Sequence, residues 1–424
     1  MKRKDFINIS SSALGIASMS GMNSFGSIKP INFNDSMKFK DSRSAIWEPI
    51  SIQERKDRIK KAQVLLKSSN CFALVLDCGT SLEYFTGISW FPSERPMVTI
   101  IPLEGVIAHI CPAFEETRLS ELTKIESQII PWQEDENPFD KIRQVFLQCG
   151  IKTGKIGVEE RTRFFILDGM KKSCPQLEFQ SGESITLPCR LIKSQSEIKL
   201  MIHANEITIQ AMKLGIQSLK EGISSQSISE IVNESHIKLG TEPDFALCSF
   251  GAASTMPHGS NKPQKLKKGD LVLLDCGSKF EGYCSDITRT IVFGAEPSQK
   301  QKQVWDLEKK AQQAGFIAAQ LGNYCEEVDK ASRDVIIDGG FGPGYQVPGL
   351  PHRTGHGIGM DGHEWGNMVK GNKLPLQIGM CFSIEPTIII PGEFGIRLED
   401  CVYMTKDGPK WFSEPSPSIG QPFV

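Results

Sequence analysis

The chain has 424 residues, 39% of them hydrophobic and 23% charged, and this composition excludes global disorder. The formal net charge of −2 gives no electrostatic support for binding nucleic acid or an anionic membrane surface. No apolar run approaches the ~20 residues that a membrane-spanning helix needs, and the length predicts about two domains.

The first residues resemble an export signal. The basic start MKRKDF precedes a mildly apolar run of small residues, which is the pattern of a secretory leader. Lys2-Arg3 stands where a twin-arginine leader usually carries its arginine pair. Residues 1–45 are therefore interpreted as an export leader and linker, and we expect a periplasmic protein. A cytoplasmic protein with a basic start is the alternative.

The twelve cysteines suggest folding in a reducing compartment. None forms a CxxC pair, their spacing is irregular, and several, such as Cys71 and Cys248, lie inside apolar runs. Buried thiols of this kind behave as small hydrophobic side chains. Export of the folded protein by a twin-arginine route is compatible with both observations.

Residues 46–188 are predicted to form a mixed α/β domain. Ser51 and Glu54 make a capping box that begins a helix through Leu66. FALVLD predicts a buried strand, MVTIIP and GVIAHI predict a hairpin, and PFDKIRQVFLQCG predicts a helix. Neither a Walker loop nor a GxGxxG after a strand occurs here, so the chemistry is expected elsewhere.

Residues 189–424 are predicted to form the second domain. Capping boxes at Ser194 and Ser227 predict helices over about 194–221 and 227–239. Two further helices are expected near 298–321 and 326–338. The long β-type segments between and after these helices contain nearly all of the residues suited to chemistry.

One pair of carboxylates lies in LVLLDCGSKFEGYCSDITRTIVFG. Placing Lys279 opposite Gly282 in a hairpin puts Asp275 opposite Asp286. Both aspartates lie in apolar strands, and like charges that face each other need a cation between them. A buried metal-ligand pair is therefore favoured over a solvated surface pair.

A second hairpin repeats this pattern in CFSIEPTIIIPGEFGIRLEDCVYM. With Gly392 at the centre of the turn, Glu385 falls opposite Glu399, although a β-bulge would shift either register. The glycine-dense segment HRTGHGIGMDGHE, which contains three of the seven histidines, lies between the two hairpins. This grouping indicates a site.

Four carboxylates and one imidazole suit two divalent metal ions. Ligation by oxygen with one nitrogen points to Mn²⁺, Co²⁺, Fe²⁺ or Zn²⁺, and Mn²⁺ is our first choice. Two ions ~3.5–4 Å apart can share a water and lower its pKa to give a bridging hydroxide. The sequence therefore predicts a hydrolase.

The motifs LDCG, SDITRT, GHGIG, SIEP and RLED, in this order, resemble those of the creatinase / aminopeptidase P / prolidase family. SLEYFTGISW is similar to part of the N-terminal domain of the same proteins. The resemblance implies an α+β fold: a C-terminal pita-bread catalytic domain, a curved antiparallel sheet backed by helices, after a creatinase-like α/β N-terminal domain. It implies a dinuclear metallopeptidase that cleaves the Xaa-Pro bond of peptides with proline second, in a homodimer or higher homo-oligomer.

The resemblance also implies the metal ligands, which would be Asp275, Asp286, His356, Glu385 and Glu399. Asp286 would bind through both oxygens, Glu399 would bridge the two ions, and Glu385 would also act as a proton shuttle.

Other roles implied by the resemblance belong to residues around the ligands. His258 and His363 would hold the substrate carbonyl and the tetrahedral intermediate, and His352 would line the proline side of the pocket. Arg397 would orient the carboxylates through charged hydrogen bonds. Gly362 departs from the Ile or Val that is more usual in the family, which loosens the wall beside His363.

Two other functions are compatible with this fold. One is a metal-dependent hydrolase or lyase that does not act on peptides, as in creatinase-like enzymes. The other is a non-catalytic binding protein, because fold alone does not determine function. The complete set of predicted ligands favours metal-dependent chemistry over the binding protein.

Overall fold

The computed structural model describes residues 47–424. The predicted leader and linker, residues 1–45, lie outside the described residues. Within the described part of the chain, none of the helices combines the length and apolarity needed to cross a membrane.

The N-terminal part is built on one six-stranded mixed sheet. Its strands are β1 (Cys71–Asp77), β2 (Val98–Pro102), β3 (Ile107–Pro112), β4 (Ser127–Trp132), β5 (Gly154–Val158) and β6 (Leu177–Ser181). Its helices are α1 (Ile52–Ser68), α2 (Thr80–Thr86), α3 (Glu116–Leu122), α4 (Pro138–Gln148), α5 (Phe164–Ser173) and α6 (Glu183–Leu191). The strand order is β4-β3-β2-β1-β5-β6, in which β2 and β3 form the predicted hairpin.

The C-terminal part contains longer helices and antiparallel strands. The helices are α7 (Gln195–Gln217), α8 (Ser225–Leu239), α9 (Gln299–Ala318) and α10 (Cys325–Asp338). The strands are β7 (Glu242–Phe250), β8 (Leu271–Phe280), β9 (Tyr283–Cys284), β10 (Ile287–Val292), β11 (Gly355–Gly357), β12 (Glu364–Met368), β13 (Cys381–Ile384), β14 (Thr387–Ile390), β15 (Phe394–Arg397), β16 (Asp400–Thr405) and β17 (Gly408–Trp411). These strands form three antiparallel sheets. Their strand orders are β10-β8-β7, β12-β11-β13-β16-β17 and β14-β15.

Helix starts follow the capping signals in most cases. α1 and α7 begin at the predicted N-caps, Ser51 and Ser194, whose hydroxyls accept backbone N–H groups. The predicted start of α8 was wrong by three residues. Ser224 is the N-cap and accepts the N–H of Ser227, because several serines in this segment could serve as the cap.

The turn of the first carboxylate hairpin differs from the predicted one. Glu281 and Gly282 both have positive φ, of 49° and 81°, and form a two-residue turn. Such turns match the twist of hairpin strands. Lys279 consequently pairs with Cys284 rather than with Gly282, and the predicted register is wrong by two residues.

This register changes how the two aspartates meet. Asp275 pairs with Thr288, and Asp286 lies in an interruption of the strand between β9 and β10. At the interruption, Ser285 Oγ accepts the N–H of Ser278 at 3.0 Å. Asp286 therefore reaches the same site as Asp275 through a local break in the ladder, not by direct cross-strand pairing.

The register of the second hairpin is confirmed. β14 pairs with β15 and β13 pairs with β16 in the predicted register, around a turn at Gly392, whose φ is 79°. Glu385 lies between β13 and β14, and Glu399 lies between β15 and β16. Their N–H groups donate to the carbonyls of Thr354 (2.7 Å) and Thr288 (3.2 Å). The second hairpin is thus hydrogen-bonded to the first hairpin and to the histidine segment, residues 352–364.

Candidate metal centre and substrate cavity

The two hairpins converge on one buried group of ligands. Among the described residues, Asp286, His356 and Glu399 offer ligand atoms that all lie within 4.8 Å of one another. His356 Nε2 lies 3.5 Å from Asp286 Oδ2 and 3.2 Å from Glu385 Oε1. Asp275 lines the same cavity. The structure therefore brings all five predicted metal ligands together.

Arg397 and Thr288 join the carboxylates at the base of the site. Arg397 forms a buried ion pair with Asp275, and its Nε donates to Thr288 Oγ1 at 3.1 Å. The Thr288 hydroxyl donates in turn to Glu399 Oε2 at 2.7 Å. Arg397 therefore contacts a carboxylate of the site, and its role in orienting the carboxylates stays a prediction. The contacts of Thr288 were not predicted from the sequence.

The charges of the site are unbalanced without a metal ion. Burial raises the pKa of Asp275, and burial together with neighbouring carboxylates raises the pKa of Asp286 and Glu399 well above the usual range. Arg397 is the permanent cation among them. Such raised pKa values show that additional positive charge would stabilise the ionised carboxylates.

His356 and Glu385 form a charged pair within the same group. Burial alone would raise the pKa of Glu385, but the hydrogen bond and charge of His356 hold it at about 2. Burial lowers the pKa of His356, and Glu385 and Asp286 more than offset this effect, so the pKa is raised. The His356 ring and the Glu385 carboxylate thus favour each other's charged forms.

Two buried oxygen atoms show that the residues fit metal ions. Asp275 Oδ1 and Glu399 Oε1 have no hydrogen-bond partner among the described residues, although both atoms are shielded from solvent. Buried polar atoms normally have partners. Four carboxylates and one imidazole, with no thiol, form a ligand set suited to divalent ions such as Mn²⁺. These five residues would hold the metal.

The other predicted histidines surround this centre. The rings of His363 and His356 stack with centroids 3.9 Å apart and an interplanar angle of 22°. His352 Nδ1 lies 2.7 Å from the carbonyl oxygen of Arg353, and burial lowers the pKa of His352. His258 lines the same cavity. Their roles in substrate binding stay predictions.

One cavity of about 870 Å³ contains all of these groups. A cavity of this size accommodates a small peptide. The residues that line it are Asp244, Phe245, Ala246, Leu247, Pro257, His258, Asp275, Asp286, Pro351, His352, Arg353, His356, Gly362, His363, Glu385, Arg397 and Glu399.

A pair on α10 fixes the segment that carries His352 and His356. Asp329 is buried and accepts hydrogen bonds from the N–H (3.0 Å) and hydroxyl (2.9 Å) of Thr354. Arg333 pairs with Asp329 and donates to the carbonyls of Gly344, Leu350 and His352. The helix thus positions a segment that has little regular structure of its own.

The N-terminal part holds the turn that precedes His363. Arg161 and Arg190 both form ion pairs with Asp361, at 2.7 and 2.6 Å, and Thr80 Oγ1 donates to the same carboxylate. Arg190 also pairs with the buried Glu364. Because this turn carries His363, the N-terminal part contributes to the geometry of the site.

Several of these residues were missed in the sequence. Thr288 and Arg353 lie inside the motifs SDITRT and HRTGHGIG, so their proximity to predicted ligands was the available signal. Asp329 and Arg333 are spaced four apart on a predicted helix, which by itself is typical of a surface ion pair. Their partners are distant in sequence and could not be identified from it.

Comparisons with known proteins show which families and relatives the chain resembles. Residues 199–406 match Metallopeptidase family M24, and residues 58–192 match the Creatinase/Prolidase N-terminal domain. An uncharacterized peptidase of Schizosaccharomyces pombe is 34% identical over 378 residues, covering 84% of this chain and 81% of that protein. A Xaa-Pro dipeptidase of Lactobacillus helveticus is 32% identical over 362 residues, covering 84% and 96%.

Solved structures show the same fold. A dipeptidase from Pyrococcus horikoshii has a TM-score of 0.78 and 29% identity, covering 84% of this chain and 98% of that one. A prolidase from Thermococcus sibiricus has a TM-score of 0.78 and 29% identity, covering 85% and 97%. The predicted fold, a creatinase-like N-terminal domain followed by a pita-bread domain of curved antiparallel sheets, is confirmed. The chain is a member of metallopeptidase family M24 with a creatinase/prolidase N-terminal domain.

Proposed function

We propose that the protein is a Xaa-Pro peptidase of the prolidase type that uses two divalent metal ions, with Mn²⁺ the first choice. The observation that carries the proposal is the convergence of the five ligands in a cavity of about 870 Å³. Curated relatives that cover most of the chain are named Xaa-Pro dipeptidase. The complete ligand set favours hydrolysis over a binding function.

The ligand residues would hold the ions whose positive charge the chemistry needs. Asp275, Asp286, His356, Glu385 and Glu399 would hold the two ions, and the chemistry supplied by bound ions would be to lower the pKa of water so that hydroxide is available near neutral pH. Arg397 holds Asp275, and Thr288 holds Glu399, so these carboxylates are oriented before substrate arrives. This preorganisation reduces the reorganisation required during the reaction.

Proton transfer and oxyanion stabilisation are assigned to groups at the cavity wall. Glu385 is placed beside His356 and would take the proton of the attacking water and deliver it to the leaving prolyl nitrogen. His258 and His363 would donate hydrogen bonds to the carbonyl oxygen as negative charge develops there. His352 would line the proline side.

Arg353 favours dipeptides over longer peptides. Its guanidinium lines the cavity and lies 3.0 Å from His363 Nδ1, and within the described part of the chain no carboxylate pairs with it. A dipeptide has a free carboxylate on its proline, and a guanidinium is suited to bind it. A tripeptide lacks this charge at the same position.

The deciding experiment is hydrolysis by metal-reconstituted protein. We expect cleavage of Xaa-Pro dipeptides, with slower cleavage of Xaa-Pro-Xaa tripeptides and Xaa-Pro amides. Chelation should abolish activity, and Mn²⁺ or Co²⁺ should restore it. Asp286→Ala should lose both activity and at least one metal ion. Metal-dependent hydrolysis of creatine-like amidines with no cleavage of Xaa-Pro bonds would instead support the creatinase-like alternative.

A further inference from the structure

One acidic residue of the cavity has no part in the proposed metal centre. Asp244 lines the same cavity as the ligands, and 26% of its side chain is exposed. A carboxylate in a substrate cavity attracts a cationic group of the substrate. The position of Asp244 in β7 and its neighbouring residues indicate which cationic group of the substrate it binds.

A β-bulge directs Asp244 towards the cavity. The pairing of β7 with β8 shifts between Pro243 and Phe245, so Asp244 is the extra residue of the bulge. Bulges interrupt the alternation of a strand, occur often beside active sites and re-aim a side chain. The residues that follow, Phe245 and Leu247, also line the cavity. The irregular backbone thus adds an acidic side chain to an otherwise apolar wall.

Gly362 leaves space beside this carboxylate. A Cβ at position 362 would lie 3.7 Å from Asp244 Oδ2, and among the described residues, apart from the two chain neighbours of Gly362, it would meet no other heavy atom within 4 Å. The φ of Gly362 is not in the left-handed region, so its backbone does not require glycine. The missing side chain therefore has a spatial effect, because a larger residue would cover Oδ2.

Asp244 has two weak partners among the described residues. The Cys284 thiol, a weak donor, lies 3.9 Å from Oδ2. Lys279 Nζ lies 3.2 Å from Asp244 Oδ1, and 34% of the lysine side chain is exposed. Partly exposed ion pairs of this kind are weak because water competes with them. The lysine ammonium also shows that the carboxylate accepts this type of cation. A substrate ammonium or guanidinium could bind Oδ2 or displace Lys279.

We propose that Asp244 and Gly362 form a recess that selects dipeptides whose first residue is lysine or arginine, an inference that rests on the proposed function. Gly362 directly precedes His363, whose ring stacks on His356. A scissile carbonyl bound at His363 thus lies beside the recess. The first residue of the substrate can then extend a basic side chain to Asp244.

The matched substrates are Lys-Pro and norleucyl-proline, which differ in the terminal ammonium. We expect the wild-type enzyme to prefer Lys-Pro in kcat/KM by about tenfold, the effect of one hydrogen bond to a charged group. Asp244→Asn should remove this preference mainly through KM. Gly362→Val should weaken it by covering Oδ2. Lys279→Gln should strengthen it by removing the competing cation.

Glu242→Gln is the control, because Glu242 lies on the same strand outside the cavity. Equal losses for both substrates in Asp244→Asn would mean that the carboxylate binds the α-ammonium common to all dipeptides, and would overturn the proposal. The proposal would also be overturned if Asp244→Asn left the preference for Lys-Pro unchanged, or if Lys279→Gln left it unchanged. If the wild-type enzyme cleaves neither dipeptide, the proposed function itself fails.

Discussion

Thr288 is the residue at which the two carboxylate hairpins meet. Its hydroxyl accepts from Arg397 and donates to Glu399, and its backbone bridges to Glu399. Thr288→Val keeps the shape of the side chain but removes this donor. We expect affinity for Mn²⁺ to fall by about 10–100-fold, as for other partners of metal ligands. Calorimetric titration of metal-free protein measures this, and unchanged affinity would contradict the assigned role.

The histidines separate metal binding from catalysis. His356→Ala should lower metal occupancy, and excess metal should partly restore its activity. His363→Ala and His258→Ala should keep normal metal content and lower kcat by roughly 10²–10³, the effect of one oxyanion hydrogen bond. Elemental analysis combined with kinetics distinguishes the two classes. Near-normal kcat in His258→Ala would show that this exposed residue only packs in its loop.

His109 gives a pH dependence that is independent of the metal site. Burial lowers its pKa from 6.5 to about 4, and its Nδ1 contacts Thr99 Oγ1 at 2.7 Å. Because the folded pKa is depressed, its contribution is present above pH 6.5 and is lost as the pH falls towards 4. The loss is about 1.4 kcal/mol per pH unit in this window.

Denaturant unfolding of metal-free protein at several pH values measures this contribution. The His109→Gln variant should show a smaller decrease in the free energy of unfolding between pH 6.5 and 5 than the wild type, by about 2 kcal/mol. Identical pH profiles for the two proteins would mean that His109 is protonated equally in the folded and unfolded states.

At the scale of elements, α10 supports the histidine segment. Asp329→Asn should break the pair with Arg333 and weaken the hold on Thr354, so the free energy of unfolding should fall by about 3 kcal/mol. Metal affinity should fall too, because the carbonyl of Thr354 accepts the N–H of Glu385.

The same helix provides the control for this prediction. Asp334→Asn removes an exposed i,i+4 pair with Lys330, which is screened by solvent, and should leave the free energy of unfolding essentially unchanged. Equal effects of the two substitutions in chemical denaturation would remove the assigned role of Asp329.

Hairpins show what the sequence could and could not specify. The second hairpin was predicted correctly because Gly392 marks its turn and the strands around it are regular. The first was wrong by two residues, because the turn uses a left-handed Glu281 and the strand breaks before Asp286. Both aspartates still belong to the site, since their apolar surroundings were sufficient to indicate burial. Local irregularity is set by tertiary contacts and leaves little trace in spacing.

At the scale of the whole molecule, the N-terminal domain and the metal site are coupled through Asp361. Thr80 and Arg161 reach this carboxylate from positions at least 200 residues away along the chain, as their numbers show. No periodicity or motif in the sequence could reveal such contacts. The ligand motifs, by contrast, are local and could be recognised. The sequence therefore predicts the metal centre better than the walls of the substrate cavity.

The burial of the cysteines bears on whether the folded protein can tolerate an oxidising compartment. All twelve are free thiols, and ten are buried, while Cys78 is half-buried and Cys149 is exposed. Burial and the neighbouring Asp77 raise the pKa of Cys78 to about 12. Since the thiolate is the reactive form, the folded protein should resist disulfide exchange. This resistance is compatible with our proposal, which rests on the leader-like sequence, that the protein is exported to the periplasm in its folded state through the twin-arginine-like leader.

Export in the folded state predicts the outcome of two measurements, the labelling of thiols in the native protein and the location of the processed chain. In native protein, a thiol-reactive reagent at neutral pH should label Cys149 rapidly and the remaining cysteines slowly, whereas denatured protein should take up twelve labels. The native chain should begin after about residue 20 and be found outside the cytoplasm, with Arg3→Gln causing retention inside. Intact Met1 in the cytosol by mass spectrometry would contradict export. Rapid native labelling of many cysteines would contradict the protection on which folded-state export depends.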